Sequence, residues 1–309
     1  MSHRDSAIDD WIRRHLKREP PRSKSLIVTI FGDSVELLTP GIWLSDLIEL
    51  LRLFGVNERL VRTSTSRLTE DGWLSSERHG RRSRYSLTES GRRRFEHAYQ
   101  RIYAPPTSEW DGRWTVVILP KLGNGAPERS ELRRELEWEG FGLLAPGIFL
   151  HPAANTGSVD EILQQLGLSH RAIVARAQDS TELTALSLKC IVSQCWNLEM
   201  IADAYREFLA RFEPLAQLLR AGSRIGPDQA FIVQTLLIHT FRRVTLHDPR
   251  LPKPMLPADW PGHAAYDTCR RLYRMTYRQT LNHLVPRIDP GPARKALPAK
   301  LMERFGGLA

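Results

Sequence analysis

The sequence predicts an α+β protein of several domains. Its 309 residues imply two or three domains at roughly 100–200 residues each. The pattern changes twice along the chain: helices closed by a basic hairpin, then alternating strands and helices, then long helices. The stretch Ala104-Pro105-Pro106-Thr107-Ser108 separates the first two patterns as a linker.

Composition narrows the class. A hydrophobic fraction of 41% suffices for packed cores. No apolar run approaches the roughly 20 residues that span a bilayer. The stretch Met1–Pro21 is polar and lacks the apolar segment of a signal peptide, so a cytoplasmic protein is expected. Three cysteines, Cys190, Cys195 and Cys269, make neither a disulfide framework nor a zinc ligand set. They read as reduced thiols. The net charge is +9. Eight arginines lie between Arg78 and Arg101, opposed by Glu89 and Glu96. Such clustering suits a polyanion.

The elements follow in order. Residues 1–24 read as a mobile arm ending at Pro20-Pro21. The first helix is expected over Ser25 to Leu38, although its β-branched residues would also allow a strand. Pro40-Gly41 breaks it, and Ile42-Trp43 suits a short strand. Ser45 to Phe54 is a helix with a wide apolar face, stopped by Gly55. Asn57 caps the next helix. On that helix Leu60, Val61, Ser64 and Leu68 form the expected inner stripe. Arg59, Arg62, Thr63, Ser66 and Arg67 fall on the opposite side. Strands flank a turn at Gly80, and the hairpin carries Arg78, Arg81, Arg82 and Arg84. A fourth helix starts at Thr88-Glu89-Ser90-Gly91 and reaches Tyr103. Helix, turn, helix and basic hairpin in this order predict a winged helix-turn-helix over 25–103. The side chains of its outward face suit base edges and phosphates, which points to a transcription regulator.

The second pattern covers 109–180. Strands are expected at Trp114–Leu119, Gly142–Leu144, Ile148–Leu150 and Ala172–Ala177, with helices at Glu131–Glu139 and Val159–Leu166. This β-α-β-β-α-β order predicts a ferredoxin-like domain, a scaffold with no function of its own. Residues 186–285 read as a mostly helical C-terminal domain, with helices over Trp196–Arg220, from Gly226 to Leu246, and over Ala264–Val285. Pro252–Pro261 connects the last two. Residues 286–309 form a tail with a short helix near Lys300.

Separated blocks then carry a family resemblance. They are Gly32-Asp33 with Thr88-Glu89-Ser90-Gly91; Leu136-Glu137-Trp138-Glu139-Gly140-Phe141-Gly142 with Pro146-Gly147; and Arg242-Arg243 with Asp248-Pro249-Arg250-Leu251-Pro252 and Leu256-Pro257-Ala258-Asp259-Trp260-Pro261-Gly262. With these blocks the chain resembles the PaaX family, repressors of phenylacetic acid degradation operons, from about Ser25 to Val285. The resemblance implies a homodimer on double-stranded operator DNA, released by phenylacetyl-coenzyme A. It also implies a middle domain similar to small CRISPR-associated nucleases. Strand Trp114–Leu119 ends without an aspartate, and Asp111 precedes it, so nuclease activity is not carried over.

The candidate contacts to DNA are therefore Arg59, Arg62, Thr63, Ser66, Arg67, Arg78, Arg81, Arg82 and Arg84. For an acyl-coenzyme A effector the candidates are His239, Arg242, Arg243 and Trp260: arginine suits phosphates, and tryptophan could meet a ring. Alternatively, Arg242 pairs with Asp248 and pins the loop. Trp138 and Phe141, beside two glycines, read as core or interface more readily than as pocket lining. Arg270, Arg274 and Arg278 make a basic stripe on the last helix that could meet DNA, coenzyme A or only solvent, with solvent the expected reading. No catalytic motif, metal site or cofactor is expected. The rival readings are a nuclease using the ferredoxin-like domain and a DNA-binding protein without an effector.

Overall fold

In the computed structural model, residues 3–106, 109–120, 126–152, 156–178, 188–288 and 298–308 are described. The boundary read between 180 and 186, and residues 289–297 of the tail, lie outside them. The chain forms two compact units. One comprises Met1–Pro105, Arg206–Arg243 and Ala264–Ala309; the other comprises Pro106–Tyr205 and Val244–His263. Residues read as one helical region over 186–285 are thus divided between them.

The first unit opens on a helix and not on an arm. The stretch read as a mobile arm contains helix α1 (His3–Arg18). Ile8, Trp11, Ile12 and His15 recur at helical spacing and are buried. The Trp11 indole donates to the Arg211 carbonyl at 3.0 Å and meets the Phe212 ring at 5.3 Å. The charges of Arg13, Arg14, Lys17 and Arg18 hide this stripe in the sequence.

The expected first helix is present but interrupted. It runs as α2 (Ser23–Ile30), a π-helical turn (Phe31–Val35) and α3 (Glu36–Leu38). Its β-branched run is helical because Leu26, Ile27, Thr29 and Ile30 are buried, and packing outweighs propensity. There follow β1 (Ile42–Trp43), α4 (Leu44–Arg52), α5 (Glu58–Glu70), β2 (Leu74–His79), β3 (Arg82–Leu87) and α6 (Glu89–Tyr103). The strands form an antiparallel sheet in the order β1-β3-β2. The register runs from Leu74 opposite Leu87 to His79 opposite Arg82, which leaves Gly80 and Arg81 as the turn.

Two of the family-like residues in this unit are glycines at close contacts. A Cβ on Gly32 would lie 2.5 Å from the Phe95 ring, and one on Gly91 would lie 2.3 Å from the Trp73 carbonyl oxygen. Thr88 caps α6 by accepting from Gly91 N at 2.9 Å, while its hydroxyl donates to the Gly72 carbonyl at 2.6 Å.

The second unit holds β4 (Arg113–Ile118), α7 (Ala126–Trp138), β5 (Gly142–Ala145), β6 (Ile148–His151), α8 (Thr156–Gln165), β7 (Ile173–Gln178) and α9 (Leu188–Cys195). Its sheet has the order β5-β6-β4-β7, with every pair antiparallel. This is the strand order of a split β-α-β arrangement. Val117, Leu132, Leu136, Phe149 and Val159 form its core. The block from Asp248 to Gly262 also belongs here. Asp248 accepts from the Tyr205 hydroxyl and from Arg250 N, both at 2.7 Å. It thereby holds a turn in which Arg250 has a φ of 56°.

The remaining helices are α10 (Leu198–Arg220), α11 (Pro227–Thr245), α12 (Gly262–Ile288) and α13 (Ala299–Met302). Within the first unit Phe208 on α10 meets Phe241 on α11 at 5.3 Å, and Phe231 meets Phe54 at 5.7 Å. The chain end then enters this core. The Arg304 and Asp33 side chains are only 0% and 2% exposed, and Arg304 Nη1 donates to Asp33 Oδ1 at 2.9 Å. The same carboxylate accepts from the Tyr103 hydroxyl at 2.6 Å, the Tyr273 hydroxyl at 3.0 Å and Gln234 Nε2 at 2.9 Å. The guanidinium lies 4.1 Å over the Tyr103 ring. Burial alone would lower the Arg304 pKa. The neighbouring Tyr103, Tyr273 and Asp33 outweigh it and hold the pKa above the ordinary arginine value. An ion pair this buried needs further hydrogen bonds; both Asp33 carboxylate oxygens and both terminal guanidinium nitrogens have partners, while Arg304 Nε has none among the described residues.

Candidate nucleic-acid interface

An exposed cationic surface of the first unit is built on α5 and the β2–β3 hairpin. Asn57 caps α5, its side chain accepting from Leu60 N at 2.9 Å. Val61, Ser64, Thr65 and Leu68 are buried, an i, i+3, i+4, i+7 stripe. Ser64 shares a hydrogen bond of 2.6 Å with Ser23, and Asp71 at the helix end pairs with Lys24. The inner stripe differs from the expected one at one position. Leu60 is 50% exposed, because it lies a full helical step from the stripe. Thr65 takes the inner place, and its hydroxyl is satisfied by donating to the carbonyls of Val61 at 3.1 Å and Arg62 at 2.9 Å.

Arg59, Arg62, Thr63, Ser66 and Arg67 are all exposed, but they differ in what they touch. Arg62 pairs with Glu58 at 2.7 Å, Ser66 donates to Glu70 at 3.0 Å, and Thr63 donates to the Arg59 carbonyl at 2.9 Å. Among the described residues Arg59 and Arg67 pair with no carboxylate. Exposed i,i+4 pairs contribute only about 0.3–0.5 kcal/mol, so Arg62 can exchange Glu58 for a phosphate at small cost.

The hairpin arginines divide similarly. Arg78 and Arg81 are exposed, and Arg78 Nε donates to the Gly80 carbonyl at 3.2 Å. Arg82 lies 4.3 Å over the Trp43 ring. Arg84 is half-buried, 5.9 Å over the same ring, and donates to Thr39 Oγ1 at 3.3 Å and the Gly41 carbonyl at 3.4 Å. It braces β3 against the turn before β1. Trp43 thus forms a platform for two guanidinium groups, with His79 edge-on at 5.5 Å. The sequence places an aromatic in a short strand but gives no sign of its cross-strand partners. On α6, Arg92 pairs with Glu36 at 2.8 Å, Arg93 with Glu89 at 3.6 Å, and Arg94 lies 5.0 Å over Trp73. The basic run is therefore partly neutralised within the fold.

The residues proposed from the sequence for an effector are divided between the two units. His239 is buried against α2, where its Nδ1 shares a 3.1 Å hydrogen bond with Thr29 Oγ1. Burial, with Arg242 nearby, lowers its pKa to about 3. Arg242 donates to the Ser25 carbonyl at 3.1 Å and to Ser25 Oγ at 2.7 Å, and burial lowers its pKa to about 10. Arg243 pairs with Glu19. Trp260 belongs to the second unit, buried edge-on to Tyr205 at 5.9 Å. His239 and Arg242 fall one turn apart on α11, and both fasten α2. The Asp248 carboxylate holds its own turn in the second unit. Arg270 pairs with Asp267 at 3.0 Å, Arg274 donates to the Gly307 carbonyl at 3.0 Å, and Arg278 donates to the Tyr277 hydroxyl at 3.0 Å.

Among the described residues no three metal-ligating side chains converge; Cys269 is buried, and Cys190 and Cys195 are half-buried. Among the described residues no helix is long and apolar enough to cross a membrane.

Comparison with known proteins matches three consecutive segments. Residues 22–91 match the PaaX-like protein profile, 107–187 the PaaX protein central Cas2-like domain, and 196–285 the PaaX-like protein C-terminal domain. The chain is 35% identical to transcriptional repressor PaaX of Escherichia coli (strain K12), over 98% of this chain and 96% of that protein. In fold it is similar to the uncharacterized protein Rv0674 from Mycobacterium tuberculosis, with a TM-score of 0.54 and 22% identity, covering 86% of this chain and all of the other. The chain therefore belongs to the PaaX family, and is a regulator of transcription and not an enzyme.

Proposed function

We propose that the protein represses transcription of a phenylacetate catabolic operon. It binds double-stranded operator DNA as a homodimer through a winged helix-turn-helix, in which α5 enters the major groove and the β2–β3 hairpin is the wing. The observation that carries this is the outward face of α5. Arg59 and Arg67, which pair with no carboxylate among the described residues, flank Thr63 and Ser66 on an exposed helix whose opposite face is buried. Arginine there can read guanine bidentately, with about 1–3 kcal/mol of discrimination. Exposed Leu60 suits a thymine methyl group. The PaaX kinship favours this reading over a nuclease.

Release by an aryl-coenzyme A thioester such as phenylacetyl-coenzyme A completes the proposal. In this mechanism the dimer holds its two α5 helices roughly 34 Å apart, one turn of DNA. The thioester favours another spacing, and it must bind the two states unequally for any shift to occur. Fluorescence anisotropy with a duplex from the promoter of a phenylacetate operon tests both parts. The expected result is tight, salt-sensitive binding that phenylacetyl-coenzyme A reverses. A thioester that binds the protein and leaves the duplex in place contradicts the release step.

A further inference from the structure

The second unit contains a concavity of about 670 Å³, within the roughly 300–1,000 Å³ of small-ligand sites. Its lining includes Trp138, Phe141, Leu143, Trp196, Met200 and Ile201. Two of these are large apolar side chains left in solvent: Trp138 is 41% exposed and Met200 is 62% exposed. Apolar side chains that share one hollow and remain wet mark a place where something binds.

The hollow is built by the glycine-flanked motif of the sequence. A Cβ on Gly142 would lie 2.5 Å from Cys195 Cβ and 2.8 Å from the Trp196 ring. Only glycine lets that indole lie against β5. The Trp196 Nε1 donates to the Gly140 carbonyl at 2.9 Å, which fixes the ring in place. Phe141 is buried in the core beneath, whereas Trp138 stands at the rim, so the motif is core at one aromatic and open at the other.

We propose that this concavity binds the aromatic ring of a small ligand. The two indoles and the Met200 thioether offer flat and polarizable surfaces to such a ring. The charged rim is balanced: Arg133 pairs with Glu137 at 2.6 Å, and Arg134 with Glu131 at 3.2 Å and Glu135 at 3.0 Å. The rim therefore does not select an anion, and the polar remainder of the ligand stays in solvent. Burial pushes the Cys195 thiol up to about 11, so it stays protonated at neutral pH and the ligand is held non-covalently. The proposal rests on the reading of an aryl-coenzyme A effector and assigns its aryl end.

Calorimetric titration of the full chain with phenylacetyl-coenzyme A and with acetyl-coenzyme A tests it. The wild type should prefer the phenylacetyl thioester. Trp138→Ala should weaken that thioester about tenfold, the scale of one lost ring contact, and leave acetyl-coenzyme A unchanged. Met200→Glu should do the same, and Met275→Ala, an exposed methionine of the first unit, should have no effect. Both Trp138 and Met200 are surface residues, so melting temperatures should match the wild type. A phenylacetyl preference that survives both substitutions places the ring elsewhere and overturns the assignment while the effector reading stands. Equal affinity of the wild type for the two thioesters also overturns it. No binding of phenylacetyl-coenzyme A overturns the effector reading as well. A change of oligomeric state by light scattering, with ligand affinity intact, makes the hollow an interface between copies and overturns the assignment.

Discussion

Arginine does opposite things in two parts of the first unit. On α5, Arg59 and Arg67 are exposed and pair with no carboxylate among the described residues. In the core, Arg304 is fully buried and is matched by one carboxylate, the Tyr273 hydroxyl, the Tyr103 ring and backbone carbonyls. The first arrangement contributes little to folding and leaves charge available to a polyanion. The second contributes nothing to a partner and ties the chain end to the π-helical turn around Asp33. The difference teaches that a +9 chain cannot be read as a uniformly basic surface: each guanidinium counts for binding only if the fold has not already used it.

The largest effect should come from breaking the buried pair. Arg304→Met leaves Asp33 charged and uncompensated, which costs about 3–5 kcal/mol, measured by urea unfolding. Adding Asp33→Leu should recover much of that loss. A cost below about 1 kcal/mol for the single variant would erase the contrast between the two regions.

The same core predicts a pH dependence. His15 and His239 are held neutral, with pKa values lowered to about 4 and about 3, chiefly by burial. Unfolded histidine takes up its proton near 6.5, so acidification below that value favours the unfolded chain. Glu19, held down at about 2 by hydrogen bonds and charge from Arg211 and Arg243 that outweigh its partial burial, acts in the same direction as the pH falls below about 4.5. The urea midpoint should therefore drop between pH 7.5 and pH 5, and less in His239→Gln. A flat midpoint in the wild type contradicts this account.

These cases also mark what the sequence makes legible. The amphipathic α5 with its Asn57 cap, the hairpin turn at Gly80-Arg81 and the β-α-β-β-α-β order are written in local spacing, and reading them requires no partner. The Asp33–Arg304 pair spans 271 positions and leaves no periodic trace. His239 and Arg242 look like ligand groups on an apolar helix because the sequence does not place Thr29 and Ser25 opposite them. Arg84 looks like Arg81 for the same reason: its partners Thr39 and Gly41 lie across the sheet. Helix α1 is an exception, since its stripe of Ile8, Trp11 and Ile12 is local. Its dense charges and flanking prolines suggest an arm and obscure it.

Smaller effects sharpen the comparison within the hairpin. Arg84→Ala should destabilise the fold by about 1 kcal/mol through its lost hydrogen bonds. Arg81→Ala should leave stability within about 0.5 kcal/mol and act on DNA affinity alone. Paired unfolding and anisotropy measurements separate the two, and equal effects on both quantities would place the two arginines in one class. Asn57→Ala should cost about 1 kcal/mol as a lost helix cap, with a matching weakening of DNA binding as α5 frays.

As proposed, Arg59 and Arg67 of α5, which pair with no carboxylate among the described residues, hold DNA and do not hold the fold. Operator affinity of the Arg59→Ala, Arg67→Ala double variant, followed by anisotropy across a salt series, tests it most directly. The account predicts unchanged urea unfolding, weaker binding, and a salt slope shallower by roughly 0.9 for each phosphate contact removed. A double variant that keeps the wild-type affinity and slope would contradict it.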